Sequence, residues 1–259
     1  MNIILNGICG RMGMEVRLLC DNGYRGASIC AGVDPRASVE DELAFSSFDD
    51  IGDEVSADCV VDFSHHSCTR DVLDYAKRNR IAVVLATTGH TEEELEVIYD
   101  AAKSIPVFFS ANMSLGVALL VELAKTAALA MPEAEIEIVE KHHNRKVDAP
   151  SGTALMLAKA ICEVRPGAYT NIGRSGQGKR SKDEIGIHAI RMGNIVGEHE
   201  VIVGTDNQTI TLKHEAHSRA LFAEGAIAAA DFIINKAPGL YDMNSLISNT
   251  KRDTALSAN

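Results

Sequence analysis

The sequence predicts an α/β fold class, with an N-terminal doubly wound parallel sheet and a C-terminal α+β domain built on a mixed or antiparallel sheet. Three observations carry that expectation. Short aliphatic runs alternate with helical segments through the first part of the chain. A glycine-rich turn separates the first such run from the first helix. At Glu135-Ile136-Glu137-Ile138 the hydrophobic period switches to two, as in an antiparallel sheet with one solvated face.

Taken in order, Asn2 to Asn6 reads as a buried strand, Arg11 to Asp21 as a helix and Ile29 to Val33 as a second strand. Cys59 to Asp62, Ala82 to Leu85 and Val107 to Phe109 are further short strands, separated by helices over Thr69 to Asn79 and Thr91 to Lys103. The pattern changes near Asn112. Leu115 to Met131 has a long apolar face with Ser114 placed as N-cap, and Ala149 to Glu163 reads as a helix opened by Pro150 and Ser151. Gly186 to Arg191, Ile195 to Val203 and Thr209 to His214 read as strands, and Ala220 to Ile234 as a last helix before the turn Pro238-Gly239. The segment Arg165 to Glu184, rich in Gly, Arg, Lys and Ser, is expected to be a mobile surface loop.

Composition bounds the function classes. The chain has 259 residues, 46% hydrophobic but only 5% aromatic with no Trp, so its core is aliphatic. A net charge of -11 argues against nucleic-acid binding, which needs clustered Lys and Arg. The six cysteines show no CxxC spacing, the first residues lack a secretory pattern, and apolar stretches such as Leu115 to Ala130 are broken by Glu122 and Lys125. We therefore expect a cytoplasmic protein with no membrane and no nucleic-acid partner.

Gly7-Ile8-Cys9-Gly10-Arg11-Met12-Gly13 follows the first strand and opens the first helix, the context of a Rossmann-like phosphate turn. Gly7 permits the tight turn, Gly10 lets backbone approach a pyrophosphate, and Gly13 lets helix pack on strand, with phosphate charge against a helix N-terminus. Asp34 ends the second strand, where a carboxylate can accept bonds from ribose hydroxyls, and Arg36 could instead meet a 2′-phosphate, so NADH and NADPH both remain open. Ala86-Thr87-Thr88-Gly89 and Ser110-Ala111-Asn112-Met113 fall at carboxyl ends of predicted strands, where open α/β sheets bind ligands.

The densest chemistry lies between Glu140 and Ala154. Lys141, His142, His143, Arg145 and Lys146 form a local basic cluster suited to a dianionic substrate in an otherwise acidic chain. Behind it Pro150-Ser151-Gly152-Thr153 starts a helix, so the N–H groups of Gly152 and Thr153 can receive a carboxylate. A metal site is not expected: the paired histidines would face opposite sides of a continuing strand, and no HExxH pattern exists.

These motifs resemble the dihydrodipicolinate reductases, most specifically in the unbroken run of paired histidines, lysine and Asp148-Ala149-Pro150-Ser151-Gly152-Thr153-Ala154. Gly193 to His199, Ser218-Arg219 and Gly239 to Met243 extend the resemblance over essentially the whole chain. It implies reduction of a cyclic imine dicarboxylate with NADH or NADPH in lysine biosynthesis, with His142 as general acid and Lys146 acting beside it. It also implies substrate contacts at His143, Lys146, Gly152, Thr153 and Thr88. Cofactor contacts are implied at Gly7, Ile8, Cys9, Gly10, Arg11, Met12, Asp34, Ala86, Thr87, Thr88, Ser110, Ala111, Asn112 and Met113. Two departures stand out: Pro35 separates Asp34 from Arg36, and Ala86 replaces a glycine. The implied organisation is a dinucleotide-binding domain over 1–113, completed by 223–259, and a substrate-binding and oligomerisation domain over 114–222 whose sheets join four subunits into a homotetramer. Closure between the two, with hinges near 112–114 and 219–224, is the motion such a reaction calls for. Two rivals are weighed against it. Another two-domain dehydrogenase, or a non-catalytic nucleotide sensor, would use the first half but would not need His142 and Lys146.

Overall fold

A computed structural model describes residues 1–38 and 40–249 of the chain. Its elements are β1 (Asn2–Asn6), α1 (Arg11–Asp21), β2 (Ser28–Val33), β3 (Ala44–Phe45), β4 (Cys59–Asp62), α2 (Thr69–Asn79), β5 (Ala82–Leu85), α3 (Glu92–Ala101), β6 (Pro106–Phe109) and α4 (Leu115–Ala130). There follow β7 (Glu135–His142), α5 (Gly152–Val164), β8 (Tyr169–Ile172), β9 (Glu184–Arg191), β10 (Gly197–Thr205), β11 (Gln208–Ala216), α6 (Ala220–Ile233) and β12 (Gly239–Tyr241). Two compact units result, one from Met1–Leu115 with the described chain from Arg219 on, the other Gly116–Ser218. Residues 250–259 of the expected nucleotide-binding segment lie outside the described residues.

In the first unit seven strands run in the order β12-β6-β5-β4-β1-β2-β3, and every pair is parallel. The central strands β4 and β5 are buried at every position, as expected of a sheet covered on both faces by helices. Parallel strands put all their carboxyl ends on one edge, so the turns after β1, β2, β4, β5 and β6 share that edge. Pro238-Gly239, expected as a turn, instead leads into β12, which pairs with β6 at Leu240↔Val107. Tyr241 is held there edge-on to Phe232 of α6, which in turn meets Phe108 of β6. Helix α6 is apolar nearly all round, burying Ala223, Ala226 to Ala230 and Ile233.

The second unit carries a five-stranded mixed sheet in the order β11-β10-β7-β9-β8. β7 is antiparallel to β10 and parallel to β9. Alternation on β7 puts Ile136 and Ile138 into a core with Ile185, Ile187, Val201 and Val203, against Leu120 and Val121 of α4 and Leu157 and Ile161 of α5. The expected loop Arg165 to Glu184 is not structureless: β8 lies inside it and extends the sheet edge beside β9. Its Tyr169 and Ile172 are exposed, so β8 has no buried period for the sequence to display. Helix α5 begins at Gly152 rather than Ala149, because Ser151 is extended and its Oγ accepts the Ala154 N–H at 3.3 Å as an N-cap.

Candidate active site

The glycine turn after β1 has the geometry a dinucleotide requires. Gly7 adopts φ +84, and a side chain there would come within 2.9 Å of the Phe63 backbone after β4. A side chain at Gly13 would collide with the carbonyl oxygens of Gly7 and Ile8, so α1 packs against its own entry turn only with glycine at that position. Gly10 is the N-cap of α1 and brings no side-chain bond, leaving the helix N-terminus open to an anion. That cradle fits the pyrophosphate of NADH or NADPH.

Asp34, buried at the end of β2, accepts the Cys9 N–H at 3.2 Å and a forked pair of bonds from Arg36 at 3.0 Å each. The Arg36 guanidinium holds the Asp34 carboxyl below the usual carboxylate range, outweighing its burial. Pro35 therefore does not keep the two apart; the turn folds Arg36 back over Asp34. A cavity of about 720 Å³ opens beside this turn, lined by Asn6, Val33, Pro35, Ser47, Cys68 and Asp71 among others. The loop Ala86 to Gly89 starts from the Ala86 N–H bonded to Asp62 O, while Thr87 is buried against His90. In Ser110 to Met113 the Ser110 hydroxyl donates to Asn112 O at 2.8 Å, and the Asn112 side-chain oxygen accepts the Ser114 N–H. Ile8, Thr88 and Ala111 also lie on these turns and Arg11 and Met12 open α1, so all the expected cofactor residues sit along one sheet edge of the first unit.

Sequence spacing gave no signal for the buried polar layer beneath that edge. Asp62, at the end of β4, accepts from Asn6 Nδ2 at 2.9 Å, Ser64 N–H at 3.0 Å and Ser64 Oγ at 2.6 Å. Burial pushes its carboxyl up, with Ser64, Asn6 and Thr87 opposing.

The second unit gathers the rest. His142, the last residue of β7, points to the buried side of the strand, and its Nδ1 lies 2.6 Å from Glu140 Oε2. Glu140 is fully buried and takes two bonds from Arg191 at 2.8 and 2.7 Å and one from the Ser151 N–H at 2.9 Å. Burial alone would raise the Glu140 carboxyl, but the Arg191, His142 and Ser151 bonds outweigh it and leave it below the ordinary range. His199 of β10 packs edge-on to His142 at 5.2 Å between ring centres and meets Ser151 Oγ at 3.0 Å. Burial, and then the neighbouring His142, lower its pKa to about 4. A side chain at Gly197 would stand 3.0 Å from His142 Nε2, so glycine leaves room beside that nitrogen.

Backbone bonds from His143 N to Ile195 O, Asn144 N to Gly193 O and Met192 N to His142 O fasten the 142–146 turn to the loop between β9 and β10. Lys146 Nζ lies 2.8 Å from Asp148 Oδ1. The five-cation cluster is divided: Lys141 lies on the opposite face of β7 from His142 and is bonded to Glu198 and Glu200 at 3.1 and 3.0 Å. Gly152 is exposed at the first turn of α5, with Thr153 next to it. Thr88, the remaining expected substrate contact, belongs to the first unit. Glu140 lies within the motif, yet its role was not legible there; Arg191 and His199 come from strands far along the chain.

Comparison with known proteins covers both units. Residues 1–113 match the family model for the N-terminus of dihydrodipicolinate reductase, and residues 116–247 match that for its C-terminus. The chain is 45% identical to the 4-hydroxy-tetrahydrodipicolinate reductase of Caldanaerobacter subterraneus, covering 95% of this chain and 97% of that one. Identity to the enzyme of the same name from Clostridium novyi is 44%, over 95% and 98% of the two chains. A dipicolinate-bound dihydrodipicolinate reductase from Paenisporosarcina shares the fold with a TM-score of 0.79, at 24% identity over 93% of this chain and 97% of that one.

Proposed function

The chain belongs to the dihydrodipicolinate reductase family, and from that membership we infer that it reduces 4-hydroxy-tetrahydrodipicolinate to tetrahydrodipicolinate in the diaminopimelate route to lysine. It is an oxidoreductase that uses NADH or NADPH, and its substrate is a small dicarboxylate. When bound, the cofactor supplies a hydride to C4 of a cyclic conjugated imine.

The residues of the second unit supply what remains. Hydride addition leaves an enamine whose carbon needs a proton, and His142 is its donor through Nε2. The observation that carries this assignment is the commitment of His142 Nδ1 to the buried Glu140 carboxylate, beside a glycine that leaves room at Nε2. Lys146 now faces the Asp148 carboxylate, and a substrate carboxylate replacing it exchanges one anion for another. The N–H groups of Gly152 and Thr153, at the positive end of α5, receive the second carboxylate, and His143 completes the substrate contacts of this unit. In the first unit Gly7 to Met12, the Asp34 turn with Arg36, Ala86 to Thr88 and Ser110 to Met113 hold the cofactor.

Among the described residues no helix is long and apolar enough to cross a membrane. The free state of all six cysteines supports a reducing, cytoplasmic setting. We assign the assembly as a homotetramer built on the second unit's sheet.

The test supplies the unstable substrate from pyruvate and aspartate semialdehyde through the preceding synthase, and follows NADH and NADPH oxidation with the synthase present and omitted. Synthase-dependent oxidation is expected. His142→Ala and Lys146→Ala should each lower kcat by roughly 10²- to 10⁴-fold while binding cofactor normally. Wild-type turnover by either variant removes the role assigned to that residue. No oxidation with either cofactor, despite tight NADH binding, brings the nucleotide sensor forward.

A further inference from the structure

The Glu140 carboxylate is enclosed by donors on both oxygens. Oε2 receives His142 Nδ1 and Arg191 Nη1, while Oε1 receives the Ser151 N–H and Arg191 Nη2. Arg191 is itself fixed by a further bond to Asp148 O at 2.7 Å. An ionised carboxylate only accepts, so the proton between Glu140 and His142 belongs to Nδ1. The tautomer of His142 is thus set from behind, by a group too deeply buried to meet a substrate.

We propose that Glu140 is a positioning residue for the reduction, acting through His142: its charge keeps a proton on Nδ1 and so makes Nε2 the nitrogen that delivers a proton to substrate. The proposal rests on His142 being the proton donor. Arg191 and the Ser151 N–H hold the carboxylate in register, which couples the acid on β7 to the carboxylate-binding end of α5. The other groups around the imidazole come from separate elements. His199 on β10 meets it edge-on; His214 on β11 and Lys146 on the turn after β7 act on His199, and the charge of Asp148 faces Arg191. Glu140 is the acidic side chain bonded to the His142 ring, and His199 stays neutral near neutral pH because burial holds its pKa at about 4.

Glutamine cannot take the place of Glu140. Its single NH₂ group must face either His142 Nδ1 or the Ser151 N–H, and both positions are occupied by donors. Facing His142, it turns Nδ1 into an acceptor and withdraws the charge that favours the imidazolium.

Glu140→Gln, His142→Ala, the double variant and Ser151→Ala are compared in the coupled assay across pH, with NADH affinity by fluorescence titration as the control for folding. Glu140→Gln is expected to lower kcat roughly 10- to 100-fold, with NADH affinity within about twofold of wild type. The high-pH limb of its kcat/KM profile should move to lower pH, since the imidazolium loses a charge-assisted bond. The double variant should be no slower than His142→Ala, and Ser151→Ala should leave the limb in place. Should Glu140→Gln fail to fold, Glu140→Asp keeps the charge: a limb at its wild-type position with reduced kcat supports the proposal, and one displaced to lower pH overturns it. A Glu140→Gln loss equal at every pH, or one that multiplies the His142→Ala loss, shows that Glu140 serves only the α5 cap and overturns it. His142→Ala turning over at the wild-type rate removes the proton-donor assignment itself, whatever Glu140→Gln does.

Discussion

His142 and His199 meet edge to face, yet their surroundings give them opposite tasks. His142 has a carboxylate on Nδ1, whereas His199 has the Ser151 hydroxyl on Nε2, its other ring nitrogen buried, and the pull of Glu140 outweighed by burial and by His142. Protonating His199 in the folded state is disfavoured down to about pH 4, while the unfolded chain takes up that proton near pH 6.5. Between those values the unfolded state binds more protons, so stability falls as pH drops through this window, by at most about 3 kcal/mol. Replacing His199 by Gln, which can still bond the Ser151 hydroxyl, should therefore flatten the acid side of the stability profile. Melting temperatures of wild type and His199→Gln at pH 7 and pH 5 measure this; an equal drop in both places the acid sensitivity elsewhere. The motif around His142 was legible because its groups lie within one short run of chain. Arg191 and His199 were not, because strand pairing alone brings β9 and β10 alongside β7.

Each loop proposed to hold cofactor is placed by the element that precedes it, and the Ser110 to Met113 loop also by one that follows much later. Gly225 of α6 lies so close to this loop that a side chain there would overlap the Met113 carbonyl. Helix α6 is packed on α1, β4, β5 and β6 and cannot yield without disturbing the sheet, so the loop must move. Gly225→Ala is expected to weaken NADH binding by about tenfold or more and to destabilise the first unit by roughly 1–3 kcal/mol through overpacking. Fluorescence titration and urea unfolding check both numbers, and unchanged affinity would show that the loop does not contact cofactor. Element type was legible where the period was long or the strands were buried on both faces, as in β1, β4, β5 and α6. It was not legible for β3, β8 and β12, which are two to four residues long, lie at sheet edges and bury little. Such strands are held by a neighbour's backbone, and hydrophobic pattern carries no trace of that.

Across the whole molecule the second unit's sheet has one face covered by α4 and α5 and another with no helix of its own unit upon it among the described residues. That second face carries Val139, Ile190 and Ile202 among charges that pair within it. Lys141 bridges Glu198 and Glu200, Lys213 reaches Glu198 and Glu215, and His188 and Arg180 meet Glu137. Charges already neutralised in their own plane lose less on being covered than isolated ones, which would otherwise be left unpaired by a chain of net charge -11. A surface of this kind can meet a copy of itself about a two-fold axis to form a dimer, and a second, different two-fold interface joins two dimers into a tetramer. Light scattering on the purified chain should accordingly give the mass of four subunits. Ile202→Glu adds an unpaired charge at the middle of β10 on that face and should reduce the mass to two subunits or one. NADH affinity should persist in the variant, because the turns proposed to hold cofactor belong to the other unit. Wild-type protein running as a single chain would remove the tetramer. A tetramer unaffected by Ile202→Glu would move the interface off this sheet face and leave its paired charges as an ordinary solvated surface.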